Sequence, residues 1–140
     1  MANNSLNQWS LTLLRFILGV IFTYHGYLKL FVKGGFAGTV NLFTQIGVPV
    51  PVYSALLVAV VEFACGLFLL FGLITRWASV VLIFEMLVAF FKINLKNGFL
   101  VSNWGYEFVL LILAGLLVIL VNGAGKFSVG KKYFKNKSLQ

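Results

Sequence analysis

Four apolar runs, near residues 11–32, 52–73, 77–95 and 104–122, each approach the length a helix needs to cross a bilayer, about 20 residues. No water reaches the backbone in hydrocarbon, so every N–H and C=O there must be bonded within the protein. A spanning segment is then a helix or part of a closed barrel. The runs are continuous rather than alternating, and too few for a barrel. The expected fold is an all-α integral membrane protein: a four-transmembrane-helix bundle over residues 1–125, followed by a basic tail, 126–140. Composition agrees. Hydrophobic residues make up 61% of the chain and charged residues 10%, against about 45–50% and 25% in soluble domains, which leaves too little for a water-facing shell.

The connections are punctuated as a helical bundle requires. KGGFAGTVNLFTQIGVPVP (33–51) holds both prolines, and its Val40, Phe43 and Ile46 recur at helical spacing. A short interfacial helix is expected there. GLITRW (72–77) reads as a tight turn, LKNGFLVSNWG (95–105) as a longer polar loop. Beyond Gly125 the tail is expected to be loosely ordered.

The net charge of +8 does not point to nucleic acid, since no nucleic-acid-binding motif is present. Lys126, Lys131, Lys132, Lys135 and Lys137 follow the last apolar run. A basic tail beside a membrane segment faces an anionic lipid surface and fixes orientation, so both termini are expected in the cytoplasm. The expected location is the inner membrane, multi-pass, with the lipid bilayer as the first partner. The N-terminus has no basic segment before its apolar run and no evident cleavage site, so no removable signal peptide is read.

All three acidic residues, Glu62, Glu85 and Glu107, fall inside expected spans. A charge at the bilayer centre costs about 2.5–3.5 kcal/mol on insertion scales, so such residues face the bundle interior and pair or protonate. At 1.5 Å per residue, Arg15 lies near the inner face, His25 in the outer half and Lys29 at the outer boundary. Glu62 and Glu85 lie near mid-depth, Lys92 two turns further out, and Glu107 one turn below the outer surface. His25, Lys29, Lys92 and Glu107 are thus expected to share an outward-opening polar pocket with Glu62 at its floor. Glu107 is the expected partner of His25 and Lys29, and Lys92 that of Glu85. Helical phase puts Arg15, Gly19, Phe22, Gly26 and Lys29 on one inward stripe; Glu62 shares a face with Ala59, Cys65 and Gly66, and Glu107 with Ala114 and Gly115.

Plainer readings stand beside these. Arg15, Lys29 and Lys92 can snorkel to the nearest interface; His25 can be a neutral, hydrogen-bonded core residue; Cys65 can be a small packing residue beside Gly66. Glu62 is too deep to snorkel. One histidine, one cysteine and scattered carboxylates give no metal-ligand spacing, no second histidine exists for a haem pair, and the glycine clusters lack a nucleotide fingerprint. An apolar interhelical cleft with His, Tyr and carboxylate groups suits a quinone's carbonyls.

The chain resembles the DoxX family of small four-helix membrane proteins over residues 11–130. The resemblance rests on R-x-x-L-G and H-G-Y-x-K-L-F (Arg15 to Phe31), I-G-V-P-x-P (46–51), E-x-x-x-G-L-x-L-L-x-G-L-x-T-R (Glu62 to Arg76), and N-G-F with G-Y-E (Asn97 to Glu107). The family pattern often has a histidine shortly before N-G-F, a place held here by Asn94. The resemblance implies an inner-membrane protein linked to redox metabolism, similar to subunits of thiosulfate:quinone oxidoreductase. The expected function is a quinone- or thiol-associated subunit or accessory of an oxidoreductase. Its ligand-binding or proton-relay candidates are His25, Lys29, Glu62, Glu85, Lys92, Glu107 and Arg15. Two alternatives remain: a small proton or anion transporter or channel, which needs a homo-oligomer to make room for a path, and a scaffold holding soluble redox enzymes by its basic tail.

Overall fold

The computed structural model describes residues 2–130, with side chains from residue 6; Lys131, Lys132, Lys135 and Lys137 of the expected tail lie outside the described residues. Five α-helices follow in order: α1 (Ala2–Phe31), α2 (Gly35–Gln45), α3 (Pro51–Phe71), α4 (Thr75–Ala89) and α5 (Glu107–Asn122). α4 runs on through a π-helical turn, Phe90–Asn94, and a 3-10 turn, Leu95–Asn97. Three stretches are long and apolar enough to cross a membrane, Leu6–Phe31, Pro51–Phe71 and Thr75–Asn97, and α5 is a shorter apolar helix.

The helix boundaries have local causes. Pro51 occupies the first turn of α3, where its missing N–H is no loss. Gly72 ends α3 at φ 70°, its N–H donating to Leu69. α5 starts at Glu107 rather than near 104 because the residues before it are engaged elsewhere. Gly105 N–H donates to the Leu100 carbonyl, Tyr106 N–H to Gly98 and Glu107 N–H to Phe99. The N-G-F and G-Y-E motifs are therefore two sides of one clasp, closed further by the Phe99 and Tyr106 rings at 5.6 Å. Asn94 Nδ2 donates to the Trp104 carbonyl at 2.8 Å, fixing the loop to the end of the α4 extension.

α1 packs against α3 and α5, and α4 against α3 and α5, which closes the four longer helices into a ring. α1 and α3 approach most closely, and glycine makes that contact. A Cβ on Gly19 would lie 2.7 Å from the Leu70 nitrogen; one on Gly26 would overlap the Phe63 backbone; one on Gly66 would overlap Thr23. The facing pairs (19 with 70, 23 with 66, 26 with 63) define an antiparallel register in which backbone rests on backbone. Between the helices lies a core of Leu18, Phe22, Leu69, Leu82, Leu116 and Ile119, with Cys65 as a small packing member.

The chain's two described ends meet at one end of the bundle. Lys126 N–H donates to Gln8, Val129 N–H to Phe71, and Gly130 N–H to Gly72. Residues 126–130 are thus tied to α1 and the α3–α4 turn, where a loose segment was expected. The opposite end carries α2, the end of α1 and the α4 extension.

Candidate functional site

The carboxylate that meets Lys29 is Glu62, not Glu107. Lys29 Nζ lies 2.5 Å from Glu62 Oε2, with side chains 22% and 6% exposed, and this is the ion pair among the described residues. The register explains the choice. Lys29 continues the stripe whose Gly26 rests on Phe63, so in the antiparallel register it overlies the N-terminal half of α3, and its long stem reaches toward Glu62.

Glu85, on α4, is the second correction. It meets the Glu62 side chain at hydrogen-bonding range rather than pairing with Lys92. Lys92 has no ion-pair partner among the described residues. The π-turn that carries it widens the helix at a place where such turns recur in functional sites.

These four residues line one cavity of about 430 Å³ at the bundle end opposite the chain ends. Lys29 comes from α1, Glu62 from α3, Glu85 from α4 and Lys92 from its extension. The remaining wall is mostly apolar, with Leu57, Val58 and Val61 of α3, Phe84 and Val88 of α4, and Leu42, Phe43 and Ile46 from α2 and the turn after it. α2 has no buried residue of its own. It lies across the cavity as a cover, with Thr39 and Phe43 facing in. The helical spacing in residues 35–46 announced the helix; that it walls the site was not legible, because nothing in that segment is ionisable.

The other candidates lie elsewhere. His25 is exposed, edge-on to Tyr24 with ring centroids 6.4 Å apart, and does not line the cavity. Glu107 is half-buried at the start of α5, and of its two expected face-mates Gly115 is buried while Ala114 is exposed. Arg15 is 3% exposed at the far end of the bundle. Its Nη2 donates to the Phe127 carbonyl, and its side chain presses on Gly72, which has no Cβ to obstruct it. Thr12 Oγ1 accepts from Lys126 N–H at 3.0 Å beside it. Arg15 therefore holds the first tail residues. Replacing it with methionine should free residues 126–130, at a cost of about 1–2 kcal/mol for a lost charged hydrogen bond. Limited trypsin digestion at Lys126 should become several-fold faster, and an unchanged rate would exclude the tether.

Among the described residues no cluster of histidine, cysteine and carboxylates could hold a metal ion. What the cavity offers is a largely apolar cleft with two ammonium groups and two carboxyls. Such a site orients a ligand by a few polar groups and binds its body by burial.

Comparison with known proteins adds relatives. The DoxX family profile matches residues 10–95, a stretch that contains all four cavity residues. A protein of Mycobacterium tuberculosis named "Uncharacterized membrane protein Rv3486" is 32% identical over 136 residues, covering 90% of the chain and 82% of the relative. A Bacillus subtilis protein named "Putative oxidoreductase CatD" is 30% identical over 125 residues, 89% and 87% of the two chains. The "Inner membrane protein YqjF" of Escherichia coli is 31% identical over 119 residues, 84% and 86%. No solved structure matches the chain.

Proposed function

The chain belongs to the DoxX family, and from the cavity that this membrane fold encloses we propose a redox-linked subunit or accessory that binds a quinone headgroup beside Lys29, Glu62, Glu85 and Lys92. The observation that carries the reading is the cavity itself. Its volume of about 430 Å³ lies in the range of small-molecule sites, roughly 300–1,000 Å³. Its walls suit a ring and the start of an isoprenoid tail, and its lysines can donate to carbonyl oxygens. A quinone supplies two-electron, two-proton chemistry. Lys92 and Lys29 orient its oxygens, the Glu62–Glu85 pair holds a proton at the floor, and α2 limits water. The name of the Bacillus subtilis relative points in the same direction.

The same proposal sets the chain in its membrane. The ring of α1, α3, α4 and α5 crosses the bilayer four times, α5 being short at about 24 Å. Both termini face the cytoplasm, with residues 126–140 as a basic tail on anionic lipid. The cavity then opens on the outer side of the inner membrane, and partner redox proteins supply or accept the electrons.

The test is binding of a short-chain quinone to the detergent-solubilised protein, read as thermal stabilisation. At a hundred-fold excess over Kd the ligand should add about 2.7 kcal/mol, a shift of several degrees. Lys92→Met should weaken binding about ten-fold or more, the worth of a charged hydrogen bond. Lys92 is exposed and unpaired, so the stability of the free protein should hold. No quinone-dependent shift at any concentration would overturn the reading.

A further inference from the structure

Two polar groups of the cavity remain unused once the ion pair and the carboxyl contact are made. Lys92 has no ion-pair partner among the described residues. Glu85 Oε2 is enclosed and has no hydrogen-bond partner among them. The carboxylate form of Glu85, and the acid form that carries its proton on the other oxygen, both leave Oε2 as an acceptor. A buried acceptor without a donor costs about 1–3 kcal/mol. A ligand that fills the cavity therefore gains most if it brings a donor to Glu85 as well as an acceptor to a lysine.

An oxidised quinone ring carries two carbonyl acceptors and no donor. It satisfies a lysine and leaves Glu85 Oε2 unanswered. The reduced ring has the same size and shape but carries hydroxyls, each of which can donate and accept. We propose that the cavity is built for the hydroquinone: one hydroxyl donates to Glu85 Oε2 and the other oxygen accepts from a cavity lysine, with the ring among Val58, Val61 and Phe84. The inference rests on the quinone reading above and fixes which redox form the site prefers. A site that holds the reduced form more tightly makes the bound couple easier to reduce, by about 30 mV for each ten-fold preference in a two-electron couple. The chain then belongs on the side of a reaction that delivers electrons to quinone.

The test compares three probes on the full chain in detergent, without oxygen: a short-chain quinone, its hydroquinone of nearly the same shape, and the dimethyl ether of that hydroquinone, which keeps the oxygens, lacks the donors and adds two methyl groups. The hydroquinone should bind about ten-fold or more tightly than either of the others, the worth of a hydrogen bond to a buried carboxyl. Glu85→Leu should bring the ratio close to one, and Glu85→Gln, which keeps a weaker acceptor, should fall between. If the leucine variant does not fold, the wild-type ratio decides alone. Equal affinity for quinone and hydroquinone would overturn this inference and leave the binding reading standing. Failure of all three probes to bind would overturn both.

Discussion

Lys29→Met should cost the protein about 3 kcal/mol of stability and make Glu62 the weakest point of the bundle. Removing one partner of a buried ion pair leaves the other charge without compensation, at about 3–5 kcal/mol. The 22% exposure of Lys29 against 6% for Glu62 places this pair at the low end, since water reaches the lysine. The double substitution Lys29→Met, Glu62→Leu removes both charges and should recover most of the loss, because well-packed apolar replacements of a buried pair are often neutral or better. Unfolding in detergent, followed by equilibrium denaturation, distinguishes these outcomes. A double variant no more stable than Lys29→Met would show that the lysine acts through packing rather than charge.

Gly26→Leu is the second large effect. The added side chain would begin inside the Phe63 backbone, and a backbone within a helix cannot step aside as a side chain does. Overpacking ordinarily costs about 1–3 kcal/mol, and more where nothing can relax; the upper end or beyond is expected here. α1 can relieve the clash only by moving off α3, which also draws Lys29 away from Glu62. The effects of Gly26→Leu and Lys29→Met should therefore be less than additive, as for residues sharing one contact. Gly38→Ala is the control, because a Cβ there meets nothing within 4 Å. Thermal unfolding of the three variants should give a large loss, a large loss and almost none. A Gly26→Leu protein with wild-type stability would contradict the α1–α3 register.

Much of this architecture is legible in the sequence. The apolar runs marked α1, α3, α4 and α5, and the phase of α1 placed Arg15, Gly19, Phe22, Gly26 and Lys29 on the face that meets the rest of the bundle; all but half-exposed Lys29 are buried. The small-residue face of α3 was equally readable: Ala59, Cys65 and Gly66 are buried with Glu62. The partner of Lys29 was not legible. Depth counted along each helix places every charge at its backbone position, so Glu107, within about one turn of Lys29 in depth, reads as the nearest carboxylate. The lysine stem spans more than one helical turn, and glycine contacts seat α1 on α3, which decides that Lys29 reaches inward to Glu62. His25 was misplaced for a related reason. It lies one helical turn before Lys29, close enough in angle to share a face, but it falls on the outer edge of that face, beside Tyr24. Lys92 and Glu85 sit seven residues apart on α4 and its extension, a spacing that suggested a pair; the π-turn between them and the approach of Glu62 from α3 reassign both. Neither is encoded in α4 alone.

The central claim is that the cavity beside Lys29, Glu62 and Glu85 takes the ring of a quinone. Photolabelling with an azido-quinone, followed by mass-spectrometric mapping of the adducts, tests it most directly. Adducts should fall on the cavity wall, at residues such as Phe43, Val58 and Phe84, and should disappear when excess unlabelled quinone is added. Labelling confined to the outer groove near Tyr24 and Tyr27, or cavity adducts that excess quinone does not displace, would contradict it.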